Sequence, residues 1–117
     1  MRKSVRIKKS EEFQKVINHH RSVANKFFIV YQLPKPEQRH FRLGLSVSKK
    51  VGKAHERVWV KRRIRQAMLE LTPQLPPVID ILVIARPSTN GQSQAFLTKQ
   101  LQHALTLAKL LPRETEV

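Results

Sequence analysis

Between Lys49 and Arg65 the chain places Lys49, Lys50, Lys53, Arg57, Lys61, Arg62, Arg63 and Arg65, and Glu56 is the one acidic residue among them. Lysine and arginine at this spacing make and break no bonds; they neutralise anions. Eight of the 23 Lys and Arg residues in so short a stretch raise the local positive potential well above that of an ordinary solvated face. The chemistry read from these residues is phosphate contact with a polyanion.

Bond-breaking groups are scarce by comparison. One Asp and seven Glu are scattered through the chain, and no spacing converges them into the carboxylate set that a two-metal nuclease requires. Asp80 lies in a strand pattern and reads as the partner of a Lys or Arg, not as a catalytic acid. His19 and His20 are adjacent and diverge, while His40, His55 and His103 fall in separate elements without metal-ligand spacing. They read as solvated or facing a polyanionic ligand. Cysteine is absent, which removes disulfides, thiolate zinc sites and cysteine nucleophiles. With three glycines there is no Walker loop, dinucleotide fingerprint or nucleophile elbow. The sequence therefore offers no catalytic and no metal-ligating residue, and any cleavage falls to another component.

The elements that position the basic stretch follow from periodicity. At 117 residues and 40% hydrophobic content the chain fits one domain spanning 1–117. A net charge of +15 favours nucleic acid as partner, and no apolar run approaches the roughly 20 residues of a membrane span, so a cytoplasmic protein without a membrane partner is expected. Ser10, followed by Glu11 and Glu12, predicts an N-cap and a first helix running to Asn18, with Phe13, Val16 and Ile17 on one face. Residues 27–33 predict a strand apolar on both faces, with Ile29 and Tyr31 on one and Phe28 and Val30 on the other. Phe41, Leu43, Leu45 and Val47 alternate with polar or small residues and predict a half-buried strand antiparallel to it. A turn at Val51, Gly52 and Lys53, with Gly52 free to take positive φ, leads into a helix from about His55 to Leu71, where Pro73 ends it.

On that helix Val60, Ile64, Ala67, Met68 and Leu71 form an apolar stripe edged by Arg57, Lys61 and Arg65. Trp59 projects away from the stripe, where it can stack on a base, stack on an arginine plane, or be buried locally. Residues 78–85 read as a central strand, and Leu97, Leu101, Ala104, Leu105, Ala108 and Leu111 as a final amphipathic helix. The order is α-β-β-α-β-α, the class is α+β, and disorder is expected only in the tails.

The segment SVSKKVGKA at 46–54, with Arg57, Lys61, Arg62, Ile64 and Arg65 behind it, resembles the bacterial ribonuclease P protein subunit. The resemblance extends through Phe13 and the segments FFIVY, FRLGLSVS and IDILVIAR, in order. It implies a mostly antiparallel sheet of four strands packed by helices, with a left-handed βαβ crossover like that of a small-subunit ribosomal protein's second domain, against the usual right-handed rule. It also implies an accessory subunit that binds a catalytic RNA and the 5′ leader of precursor tRNA, in a holoenzyme of one protein and one RNA. The RNA with its Mg²⁺ ions then carries out the cleavage.

By that resemblance Arg57, Lys61, Arg62 and Arg65 contact the catalytic RNA near the cleavage site, and Lys49, Lys50 and Lys53 contact phosphates alongside. Phe13, Ile17, Ile29 and Tyr31 form the leader-binding cleft, although periodicity alone places Phe13 in the core. The family's motif reads Arg-Asn-Arg, a hydrophobe, then Lys-Arg; here Val58 stands in place of the Asn and Trp59 in place of the second Arg. The competing readings are a noncatalytic ribosomal or ribosome-assembly protein, and a DNA-binding domain for which no preceding helix of suitable spacing is visible.

Overall fold

The computed structural model describes residues 6–7 and 9–112. Along the chain these form α1 (Ser10–Asn18), β1 (Ser22–Ala24), β2 (Phe28–Pro34), β3 (Arg42–Val47), α2 (Ala54–Leu71), β4 (Ile79–Ala85) and α3 (Gln94–Leu107), with single 3-10 turns at Thr72–Gln74 and Pro87–Thr89. The α+β class and the order of the long elements agree with the sequence reading. The expected disorder of the tails falls outside the described residues.

One sheet of order β1-β2-β4-β3 organises the molecule. The β1–β2 and β2–β4 pairings are antiparallel, whereas β3 runs parallel to β4, and α2 is the crossover that parallel neighbours require. Because side chains alternate across a strand, the sheet carries two different faces. Phe28, Val30, Ile81 and Val83 are buried in the main core with Val60, Ile64 and Met68 of α2 and Leu97, Leu101 and Leu105 of α3. Leu82 of the opposite face, together with the half-buried Tyr31, Leu33 and Ile84, packs against Phe13, Val16 and Ile17 of α1. Helices on both faces explain why β2 and β4 read as apolar on both sides.

Several local expectations are corrected. Strand β1 was not expected: three residues of Ser-Val-Ala carry no period-2 signal, and they are a strand because they pair with β2, Ala24 opposite Ile29. The two strands expected to be neighbours, β2 and β3, are separated by β4. The N-cap of α1 is Lys9, with Ser10 as the first helical residue, and no side chain caps that end. The last helix stops at Leu107: Lys109 adopts φ 62°, and the amides of Lys109 and Leu110 donate to the carbonyls of Thr106 and Leu105, a Schellman ending. Leu110 and Leu111 are buried beyond that stop, so their apolar character served the core without extending the helix.

Candidate nucleic-acid interface

The basic stretch is built around the start of α2. The Lys53 amide donates to Glu56 Oε1 at 2.8 Å, satisfying one of the orphan donors of the first turn, and Asn90 Nδ2 donates to Glu56 Oε2 at 3.1 Å. The Lys53 amide first, and Asn90 second, hold the Glu56 carboxyl below its usual range. The only acid in the stretch is thus engaged in capping and in tying the turn to the 87–91 loop. Gly52 serves this arrangement through close approach, correcting the expected positive φ. A Cβ there would lie 2.7 Å from Glu56 Oε1 and 2.9 Å from Asn90 Nδ2, and the glycine with positive φ is Gly91.

Val60, Ile64, Ala67, Met68 and Leu71 are all buried, as the apolar stripe predicts. That burial fixes the rotation of α2 and so fixes where its cations stand. Arg57, Lys61 and Arg65 follow one another at i, i+4 along one flank and are half-buried, while Lys49, Lys50, Lys53 and Arg62 are exposed. Arg57 Nη1 donates to the Gly52 carbonyl at 3.1 Å, which keeps its guanidinium beside the basic turn. Among the described residues the ion pairs are those of Arg42, and none of these seven cations is paired with an acid.

The same flank contains a cation that sequence reasoning missed. Residues 6–7 run along the outer edge of β3, where Arg6 bridges to Leu43 and the Ile7 amide donates to the Leu43 carbonyl at 2.9 Å. Burial, and secondarily the charge of Arg6, holds the Arg65 guanidinium below its usual range, so the two cations are close enough to repel. Nothing in the sequence joins positions 6 and 65; only the pairing to β3 brings them together.

Phe13 and Ile17 on α1, and Ile29 and Tyr31 on the sheet face that α1 covers, are all half-buried. Phe13, Ile17 and Tyr31 belong to one apolar cluster with Leu33 and Ile84, and Ile29 lies on the same sheet face, paired in register with Ile84. Phe13 rests over Gly44: a Cβ there would stand 2.8 Å from Phe13 Cε1. The fully buried position of α1 belongs to Val16, which leaves Phe13 and Ile17 at the rim. Arg42 secures this side of the molecule, donating to both oxygens of Asp80 and lying 2.8 Å from Glu12 Oε2 on α1. Those contacts, that to Asp80 first, raise the Arg42 guanidinium above its usual range. The ion-paired reading of Asp80 therefore holds.

Of the alternatives open for Trp59, the structure shows arginine stacking together with local burial. The ring packs against the main core, and the Arg63 guanidinium lies over it at 3.3 Å from the centroid. The Arg63 guanidinium is thus engaged with the Trp59 ring, and the Arg63 backbone carbonyl accepts from Gln94 Nε2 of α3. Of the histidines, His19, His20, His40 and His55 are exposed, and His103 Nδ1 lies 3.2 Å from Asn25 Nδ2.

Among the described residues no three His, Asp or Glu side chains converge on a common point. Among the described residues Asp80 and Glu12 are engaged by Arg42, and Glu56 by the α2 cap. Nor is any helix among the described residues long and apolar enough to cross a membrane.

A cationic flank without acidic partners, set on a small α+β domain whose other sheet face carries a half-exposed aromatic rim, defines a protein of the polyanion-binding class. Comparison with known proteins is more specific. Residues 1–109 match the family model described as Ribonuclease P, and the chain belongs to that family. It is 70% identical over 116 residues to the ribonuclease P protein component of Leuconostoc mesenteroides, covering 99% of this chain and 100% of that one. The solved ribonuclease P protein of Staphylococcus aureus superposes with a TM-score of 0.86 at 39% identity, over 94% of this chain and all of that one. The Thermotoga maritima protein does so with a TM-score of 0.77 at 25% identity, over 92% of this chain and 98% of that one. The family resemblance drawn from the basic motif is borne out, and the ribosomal and DNA-binding readings are set aside.

Proposed function

We propose that this chain is the accessory subunit of a ribonucleoprotein endonuclease, binding the catalytic RNA of ribonuclease P and the 5′ leader of precursor tRNA while the RNA cleaves the leader. The observation that supports this most strongly is the pairing of two surfaces on one small body. A flank of unpaired cations follows the β3 side of α2, and an aromatic rim occupies the sheet face under α1.

In this reading Arg57, Lys61, Arg62 and Arg65 contact phosphates of the catalytic RNA near the cleavage site, and Lys49, Lys50 and Lys53 contact phosphates alongside. Neutralising those phosphates lets two polyanions approach and releases counterions, which makes assembly salt-dependent. Phe13 and Tyr31 offer π faces to unstacked leader bases, with Ile17 and Ile29 as the apolar floor; such contacts tolerate variable sequence because every base has a π face. Mg²⁺ would be held by the RNA, not by this chain's residues, and would supply activation of the hydrolytic nucleophile and stabilisation of the leaving oxygen. The protein holds and orients; it transfers no proton. One protein pairs with one RNA, in the cytoplasm.

The test is the affinity of the reconstituted holoenzyme for precursor and for mature tRNA. A protein-dependent gain for the precursor alone supports leader contact, and an equal gain for both contradicts it.

A further inference from the structure

His55, Glu56, Trp59, Asn90 and Gly91 line an open cavity of about 220 Å³ on the flank of α2 turned toward the 87–91 loop. This is a different place from the leader rim, which lies across the sheet under α1. His55 and Trp59 are four residues apart and share a helical face, so two aromatic rings border the same space. Trp59 is held in place on one side by the Arg63 guanidinium, 3.3 Å from its centroid, which removes the rotamer freedom a ligand otherwise has to freeze.

The polar rim of the cavity is unequal. Glu56 is acceptor-only when ionised, and each of its oxygens already takes one donor, from the Lys53 amide and from Asn90 Nδ2. Asn90 Nδ2 is turned to Glu56, leaving its Oδ1 as a second acceptor. Beyond it Gly91 adopts φ 81° with open space where a Cβ would stand, so the loop does not close the cavity. The volume falls below the roughly 300 Å³ at which drug-sized sites begin and suits one planar ring system. The cavity opens beside Lys53 and the basic turn, where a phosphate backbone is drawn in.

We infer that this cavity takes one unstacked RNA base bearing an exocyclic amino group, with Trp59 and His55 as the stacking surface and Glu56 and Asn90 as acceptors for the amino group. The inference rests on the RNA-binding reading and adds a specific pocket to it. It gives Trp59, which stands where the family motif has an arginine, a contact of its own: a neutral stacking site in place of a phosphate-binding charge.

Trp59 is the only tryptophan, so its emission reports on this cavity alone. The full chain is titrated with five-nucleotide oligoadenylate and oligouridylate, with tryptophan emission reporting the pocket and the anisotropy of end-labelled copies reporting total binding. Quenching that is stronger for oligoadenylate supports the inference. Binding by anisotropy with unchanged tryptophan emission, or equal quenching by both oligomers, overturns it and leaves the RNA-binding reading intact. Absence of binding at low salt overturns both. Trp59→Ala should weaken oligoadenylate binding about fivefold or more with no change in salt slope, as befits a neutral contact. Because Trp59 also packs against the core, His55→Ala at an exposed position is the second variant. It should weaken oligoadenylate binding and reduce the quenching; wild-type affinity and quenching in His55→Ala contradict the stacking role.

Discussion

The Arg42 guanidinium grips Asp80 through two hydrogen bonds, 3.0 Å from Nε to Oδ1 and 2.7 Å from Nη2 to Oδ2, across the parallel β3–β4 pairing. Asp80 is 1% exposed, so its charge is tolerable inside the sheet only because this fork meets it. Arg42→Met should therefore destabilise the fold by about 3 kcal/mol, the scale for a buried charge left without its partner. Arg42→Met combined with Asp80→Leu should recover most of that loss. Urea unfolding of the two variants checks both statements, and equal losses contradict the burial argument.

Glu56 and Gly52 make a second linked pair. Gly52→Ala forces a methyl group against Glu56 and Asn90 and should cost about 1 kcal/mol, comparable to losing a helix cap. The sign of the pH dependence follows from the lowered folded-state pKa of Glu56. Its stabilisation is present above the unfolded carboxylate value of about 4.3 and is lost as pH falls through the lower folded value. Glu56→Gln should flatten the stability profile in that acid window and leave the profile near neutrality parallel to wild type.

Lys61→Ala and Arg62→Ala should each weaken binding to the catalytic RNA and reduce the log–log salt slope by about 0.7 to 0.9 if each contacts one phosphate. Arg6→Ala tests the cation that the β3 edge brings beside Arg65 and should act in the same direction. An unchanged slope in all three contradicts a phosphate-binding flank.

Phe13→Ala should reduce holoenzyme affinity for precursor tRNA while leaving mature tRNA unaffected. Because Phe13 rests on Gly44, Gly44→Ala pushes the ring away from the sheet and should reproduce part of the same discrimination loss. Parallel losses for both tRNAs contradict a leader-specific role.

The local signals in the sequence proved reliable where one element alone sets the outcome. The stripe from Val60 to Leu71 orients α2, and the strand position of Asp80 marks it as the partner of a Lys or Arg, which is Arg42. Relations set by tertiary pairing were not legible. Strand β1 exists through β2, β3 lies beside β4 because α2 returns the chain there, and Arg6 reaches Arg65 along the β3 edge. For Trp59 the helical wheel left base stacking, arginine stacking and local burial open, and it could not choose among them because it omits the core and the 87–91 loop that border that flank. The four cleft residues came from family resemblance; the structure sets Phe13 and Ile17 on α1 and Ile29 and Tyr31 on the sheet face beneath it, with Phe13 half-buried although periodicity favoured the core.

The most direct measurement is release of the 5′ leader from precursor tRNA by a bacterial ribonuclease P RNA at low Mg²⁺ and moderate salt, with and without this protein, beside a protein-alone control. The account predicts faster release in the presence of the protein and none from the protein alone, because its cations offset phosphate repulsion while the RNA carries the chemistry. Failure to stimulate, or cleavage by the protein without RNA, would contradict it.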